Sequence, residues 1–323
     1  MRYFCTYFDH NYLARGLALY QSLKLHCPAF KLWMLCLDAK SYVTLEKLKL
    51  SNASLLTLSD LEYDDPSLRQ AKANRSLVEY YFTCTPSLPL FLLNRHPDID
   101  LITYLDSDLY FFSSVEPLFD EIGNHSIAII GHRFSEALRK YEWNGIYNVG
   151  WVTFRRDDNG LSCLQWWRDR CLEWCYDRIE GNRFADQKYL DDWPTRFEGV
   201  VVLQHKGANL APWNVGNYTL SFRKGTIFVD DHPLVFFHFH GFKQCVRWIY
   251  DTQLAKYDVV PSEFLVRNIF ARYLSEVISQ SKRLGGSCPA PLKKGRRDSS
   301  SLLRALPRLL KRQYLIAING RIL

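Results

Sequence analysis

The sequence has no apolar run approaching the ~20 residues of a helical membrane span, no internal repeat, and no CxxC pair among its nine cysteines. The first absence argues against a membrane-spanning helix. The last, with an odd count, argues against a zinc site or a disulfide framework and leaves buried thiols in a reducing cytosol as the expectation. The opening MRYFCTYF lacks a basic segment followed by a long apolar stretch, so no secretory signal is expected. Basic charge is also missing from most of the chain. Residues 282–323 hold eleven Lys or Arg against the single acid Asp298, a balance of +10, which leaves −3 for the rest out of a net +7. A folded surface of that charge excludes a body built to track nucleic-acid phosphates.

What is present is a globular composition, 47% hydrophobic and 15% aromatic, in 323 residues that suffice for one large α/β domain or two small ones. Strand and helix patterns alternate. RYFCTYF (2–8), FKLWMLCLD (30–38) and a run at about 54–58 read as strands, the second so continuously apolar that burial on both faces is implied. RGLALYQSLKLHC (15–27) and about 41–50 read as helices between them. This alternation predicts parallel strands with crossover helices, a doubly wound sheet. SLVEYYFTCTPSLPLFLLNRH (76–96) is helical, with Pro86 and Pro89 allowing a break. LITYLD (101–106), SIAIIGH (126–132), NVGWVTFRR (148–156), VVVLQH (200–205) and LVFFHFHG (234–241) are further strands, and 161–181 is a helix closed by Gly181. The Gly/Pro/Ser-rich basic stretch from residue 282 reads as a linker. Three segments follow: 1–245 as the main domain, 246–281 as a helical extension, and 282–323 as a basic tail.

Within ITYLDSDLYFF (102–112), Asp106 closes a strand and Asp108 lies just past it. Ligands of parallel sheets bind at that carboxyl edge. Two carboxylates there repel unless a cation neutralises them, and oxygen donors suit Mg²⁺ or Mn²⁺. A strand-ending turn rich in Asp would read the same way.

The pair has company. TYFDHNYLARGLALYQSL (6–23), YLDSDLYFF (104–112), YNVGWVTF (147–154), ADQKYL (185–190), NLAPWNV (209–215) and VFFHFHGFK (235–243) occur in the order and spacing of one family. Over residues 1–245 the chain resembles the retaining, metal-dependent glycosyltransferases of the glycogenin and bacterial lipooligosaccharide galactosyltransferase type. The resemblance implies a single Rossmann-like nucleotide-diphospho-sugar transferase domain, the A-type glycosyltransferase fold. It implies transfer of a hexosyl or pentosyl group from a nucleotide-diphosphate donor, a UDP-sugar, to a glycan or lipid-linked acceptor.

By the same resemblance, Tyr7, Asp9, Asn11 and Tyr12 would hold the donor's nucleobase, and Asp106, Asp108 and His238 would ligate Mn²⁺ or Mg²⁺, with Asp106 also touching the ribose. His240 shares the strand face of His238. Lys243 would meet the diphosphate, with Arg247 as a substitute, although the family's lysine stands one residue further on. Asn148 would hold donor-sugar hydroxyls where Gly150 lets the backbone approach. Asp186 would bond a sugar hydroxyl and Gln187 would lie on the face opposite the leaving group, while PWN (212–214) matches an acceptor-side loop loosely. One departure stands out: the helix before the acid pair lacks the family's donor-contacting arginine, for which Arg69, Lys72 or Arg75 would substitute.

Two rival readings differ from this one in the residues they require. A sugar-1-phosphate nucleotidyltransferase calls for a glycine-rich loop after the first strand, and YFDHNYLARG has one late glycine. A non-catalytic nucleotide- or sugar-binding scaffold would not require the whole set of acids, His238 and Gln187. The tail stretch 301–318 spaces Leu302, Leu306, Leu309 and Ile316 near helical intervals among Arg and Lys, an amphipathic pattern that would rest on an anionic membrane surface. The expectation is a cytoplasmic protein whose tail either rests on the membrane surface or is a solvated tail or a helix docked on the body.

Overall fold

The apolar run Arg2–Phe8 (β1) and the neighbouring run Phe30–Cys36 (β2) pair in parallel from Arg2↔Phe30 to Phe8↔Cys36, with Leu13–His26 (α1) between them in sequence. The coordinates are a computed structural model that describes residues 1–246, 248–285, 314–318 and 321–322. Ala39–Leu48 (α2) is capped by Asp38, whose carboxylate accepts from the Ser41 amide, and leads to Ala53–Thr57 (β3), parallel to β2. Two short helices follow, Leu58–Asp64 (α3) and Pro66–Ala71 (α4). Leu77–Arg95 (α5) starts on a reciprocal cap in which Ser76 and Glu79 exchange hydrogen bonds.

Neither Pro86 nor Pro89 ends α5. The whole run Thr83–Pro89 is buried, and packing of a buried helix outweighs the ~3 kcal/mol that a proline costs inside one.

Leu101–Leu105 (β4) lies beside β1 in parallel. The short strand Leu109–Phe111 (β5) and helix Glu116–Ile122 (α6) come next. Ile127–Gly131 (β6), Tyr147–Arg155 (β7) and Val200–Leu203 (β8) complete a seven-stranded sheet in the order β3-β2-β1-β4-β7-β6-β8. Strand β7 runs antiparallel to both β4 and β6, and the other pairs are parallel. The expected α/β fold with a parallel-dominated, Rossmann-like sheet is therefore what forms. Its buried core includes Cys5, Leu35, Ile102, Val152, Phe154, Trp167 and Trp193.

Helix Asp158–Glu173 (α7) is shorter than the 161–181 read from sequence. Trp174 turns extended, and the Arg75 guanidinium donates to the carbonyls of Leu172 (3.2 Å) and Glu173 (3.4 Å). A cation on the last carbonyls closes the helix eight residues before Gly181. All eight described cysteines are free thiols, and seven of them are buried.

By compactness the chain divides into two units. One comprises Met1–His10, Lys24–Ser107 and Ser114–His205, and holds the seven-stranded sheet; the other comprises Asn11–Leu23, Asp108–Ser113 and Lys206–Leu323. In the second, β5 pairs antiparallel with the strand Phe236–His238, which is shorter than the expected 234–241. Its core gathers Phe237, Phe239, Phe242, Phe270 and Tyr273. Lys243–Val246, Ile249–Asp251, Tyr314–Ile318 and Arg321–Ile322 form a small sheet there. Residues 314–318 are thus a strand, not the end of an amphipathic helix. Leu315 and Ala317 are buried while Tyr314 and Ile316 are less so, a period of two. Residues 301–313 lie outside the described ones. Among the described residues no helix is long and apolar enough to cross a membrane.

One glycine ties α7 to the sheet. Asp157 caps the helix by accepting from the Gly160 amide (2.8 Å) and accepts also from the Ser126 hydroxyl (2.7 Å). A Cβ at Gly160 would stand 2.2 Å from the Arg155 carbonyl oxygen. Gly160→Ala is expected to destabilise the protein by roughly 2–4 kcal/mol, because backbone rather than a flexible side chain must move; urea melts of the two proteins measure this.

Candidate functional site

Strand β4 is fully buried from Ile102 to Leu105, so a charge can appear only where it ends, and Asp106 is the next residue. The Asp106 amide donates to the Gly150 carbonyl of β7 (3.2 Å), and its Oδ1 accepts from the Tyr104 hydroxyl (2.9 Å). The ring of Tyr104 lies 5.6 Å from that of Tyr7 on β1. The Tyr7 hydroxyl is 3.0 Å from Thr85 Oγ1 on α5. Tyr7, Asp106 and Gly150 therefore meet at the carboxyl edge of β1 and β4, as the sequence led us to expect of that edge.

Asp186 joins this group. It is 5% exposed, and its backbone carbonyl accepts from Trp167 Nε1 (2.8 Å). The preceding Ala185 is held in the left-handed region at φ 46°, a conformation that costs a non-glycine residue about 1–3 kcal/mol and is maintained only by its surroundings. Burial pushes the Asp186 carboxyl up to about 7, and the nearby Asp106 charge adds to this while a hydrogen bond with Thr85 opposes it. Near neutral pH it can thus either donate or accept a hydrogen bond.

Gln187 and Asn148 form a second cluster in the same unit. Asn148 Nδ2 donates to Gln187 Oε1 (3.3 Å) and lies 3.3 Å from His132 Nε2, while its Oδ1 accepts from the Gly150 amide (3.1 Å). Gln187 Nε2 donates to the Asn144 carbonyl (2.8 Å). Gly145, at φ 128°, allows that approach: a Cβ there would fall 3.0 Å from Gln187 Cγ. Asp9 lies with His10 and Asp38, the three offering ligand atoms within 4.8 Å of one another, although both Asp38 oxygens are already engaged by His10 and by the cap of α2.

In the second unit, His238 is 2% exposed and its Nε2 stands 3.1 Å from Asp108 Oδ1. Pairing of β5 with Phe236–His238 sets Leu109 opposite His238, and the Phe239 amide donates to the Asp108 carbonyl (3.0 Å). Burial works to raise the Asp108 carboxyl, but the charge and hydrogen bond of His238, followed by the charges of His240 and Arg15, hold it at about 2. His240 does share the face of His238, with ring centroids 5.7 Å apart. Trp213 packs edge-on against both, at 5.2 and 5.6 Å, so the PWN segment supports the histidines. Asn214 holds that turn, accepting from the Ala211 amide and donating to the Asn209 carbonyl, both at 2.9 Å.

Asn11 and Tyr12 enter α1 in this second unit, where the Arg15 guanidinium lies 4.2 Å over the Tyr12 ring. Lys243 is exposed, in register with Asp251. Arg247 lies outside the described residues. Of the suggested substitutes for the missing arginine, Lys72 pairs with Glu62 (2.8 Å), Arg75 caps α7, and Arg69 is exposed. Sequence reading missed Thr85, His132 and Arg15. The first two sit in ordinary helix and strand patterns and carry no signal; Arg15 stands just after the nucleobase loop and was legible as a cation near it. Asp106 and Asp108, separated only by Ser107, with the His238 imidazole, supply oxygen and nitrogen donors of the kind that Mg²⁺ or Mn²⁺ accepts.

The raised Asp186 carboxyl has a consequence for stability. Its folded value lies above the ordinary one near 3.8, so its contribution is present at acid pH and is lost as pH rises toward and through about 7. Between pH 4 and 8 the wild type is expected to lose roughly 2–4 kcal/mol relative to Asp186→Asn. Urea melts of both proteins across that range check this, and parallel curves would refute it.

No family model matches the sequence. The chain is 30% identical over 275 residues to the uncharacterized protein YfnD of Bacillus subtilis (strain 168), covering 84% of this chain and 87% of that one. It is 32% identical over 248 residues to YfnF of the same organism, covering 74% and 81%. Among solved structures, the galactosyltransferase LgtC in complex with donor and acceptor sugar analogs aligns at a TM-score of 0.51 with 17% identity, covering 82% of this chain and 99% of that chain. That likeness shows the fold, which is the A-type glycosyltransferase fold. On the strength of identity and coverage, the chain belongs to the same family as YfnD and YfnF.

Proposed function

We propose that the protein is a glycosyltransferase that moves a sugar from a nucleotide-diphosphate donor, a UDP-sugar, to a glycan or lipid-linked acceptor. The observation that carries this reading is the buried Asp108–His238 contact of 3.1 Å, with a second carboxylate two residues earlier in the chain. A fold shared with a galactosyltransferase supports it. In this reading residues 1–245 bind the nucleotide-sugar, Asp106, Asp108 and His238 hold Mn²⁺ or Mg²⁺, and the residues beyond 245 are accessory. Held by these residues, a divalent cation would supply charge neutralisation for a departing diphosphate.

The remaining roles fall to the chain's own groups. Tyr7, Asp9, Asn11 and Tyr12 receive the base, with Lys243 toward the diphosphate. Asn148 and the Gly150 backbone meet the donor sugar. Asp186, able to donate or accept near neutral pH, bonds a sugar hydroxyl. Gln187 is fixed at both ends of its amide, by Asn148 and by the Asn144 carbonyl, so its dipole is aimed before substrate arrives. An amide is a poor nucleophile, which favours attack by the acceptor hydroxyl on the same face as the leaving group. The bond from the anomeric carbon to the diphosphate oxygen breaks, the bond to the acceptor oxygen forms, and the hydroxyl proton passes to the diphosphate. Configuration is retained. Asp186 is the competing nucleophile for a covalent route, but its raised proton affinity leaves less of it ionised at neutral pH.

The test is calorimetric titration of UDP, GDP, CDP and dTDP with Mn²⁺, without metal, and against Asp108→Ala. One nucleotide, UDP, is expected to bind in a metal-dependent manner, with at least a roughly tenfold loss in the mutant. Absence of metal-dependent binding for all four would reject the transferase reading in favour of a non-catalytic scaffold.

A further inference from the structure

A diphosphate approaching Asp106 and Asp108 meets two carboxylates, and the basic residues that sequence offered to offset them are used elsewhere or stand exposed: Lys72 on Glu62, Arg75 on the end of α7, Lys243 at the surface of its strand. Arg15, in the first turn of α1, has different surroundings. Three successive hydrogen bonds run from Asp108 to its guanidinium. The Phe239 amide donates to the Asp108 carbonyl (3.0 Å), the Phe242 amide donates to the Phe239 carbonyl (3.0 Å), and Arg15 Nη2 donates to the Phe242 carbonyl (2.6 Å). The turn between Phe239 and Phe242 passes through Gly241 at φ 69°, directly after the two histidines.

From this geometry we infer that Arg15 is the cation that contacts the donor's diphosphate, a role resting on the nucleotide-sugar reading above. A guanidinium carries five N–H donors in a planar fork suited to phosphate oxygens; the Phe242 carbonyl accepts from Nη2, and the Tyr12 hydroxyl is a second hydrogen-bond partner. Tyr12 at 4.2 Å orients the plane. The charge of Arg15 is also among those that favour ionised Asp108, so the group already acts electrostatically at that carboxylate. Binding a carbonyl and packing on a tyrosine would not by themselves require a charge. Holding a diphosphate would.

The experiment counts phosphates. The full-length protein with Mn²⁺ is titrated with UDP and with UMP, as wild type, Arg15→Met and Arg15→Lys; if another base wins the panel above, its di- and monophosphate replace these. Arg15→Met is expected to weaken the diphosphate roughly 10- to 100-fold, the range of a hydrogen bond to a charged group, and the monophosphate by less than about threefold. Arg15→Lys is expected to recover part of the diphosphate loss. Equal weakening of both nucleotides would assign Arg15 to support of Tyr12 and the Phe242 turn, and would overturn the inference, as would unchanged diphosphate affinity. Should Arg15→Met fail to fold, the ratio of the two losses in Arg15→Lys decides alone. Wild-type protein that binds no diphosphate fails the transferase reading itself, a result distinct from either outcome at Arg15.

Discussion

The pairing of Leu109–Phe111 with Phe236–His238 is the constraint on which the second unit's chemistry depends. It is a three-residue ladder, yet it sets a buried imidazole against a carboxylate, and neither group could be buried alone without a penalty of several kcal/mol. The aromatic packing beneath it, Phe237 and Phe239 on Phe270 and Tyr273, anchors the strand. Trp213 closes the histidines from the other side. An apolar core thus fixes a polar pair whose separation leaves little freedom.

In the first unit the same logic runs through hydroxyls. Tyr7, Tyr104 and Thr85 are apolar or small enough to line the end of a sheet; Tyr104 brings its hydroxyl to Asp106, Thr85 brings its own to Asp186, and Tyr7 bonds to Thr85. The backbone at Ala185 is bent into an unfavourable region to deliver Asp186 there. Stability is given up locally at the place where the chemistry is proposed, and it is recovered by large buried side chains such as Trp167 and Trp193.

How much of this was legible in the sequence follows from the kind of signal each part leaves. Strands β1, β2 and β4 were readable because burial on both faces makes them continuously apolar, and Asp106 was conspicuous against that background. The end of α7 was not readable: it depends on Arg75, nearly a hundred positions away, and Gly181 offered a plausible but unused stop. Pro86 and Pro89 suggested a break in α5 that tertiary packing overrides. Residues 314–318 fit a helical spacing only when read with their neighbours, and their own alternation of buried and less buried positions is that of a strand. Asp186 and Gln187 were found by a pattern shared with other chains; that Asp186 is held by Thr85 and Gln187 by Asn144 is a matter of three-dimensional placement with no local trace.

Asn148 shows what such placement means for selectivity. Its amide nitrogen is engaged with His132 and Gln187, and its oxygen is engaged with the Gly150 backbone. In the donor-sugar role proposed above, a hydroxyl arriving at this amide nitrogen would have to take over one of its existing bonds. Recognition on that proposal would work as an exchange, in which a hydroxyl of the wrong height or hand breaks a bond it cannot replace. The site would gain little affinity from a correct sugar and charge heavily for an incorrect one.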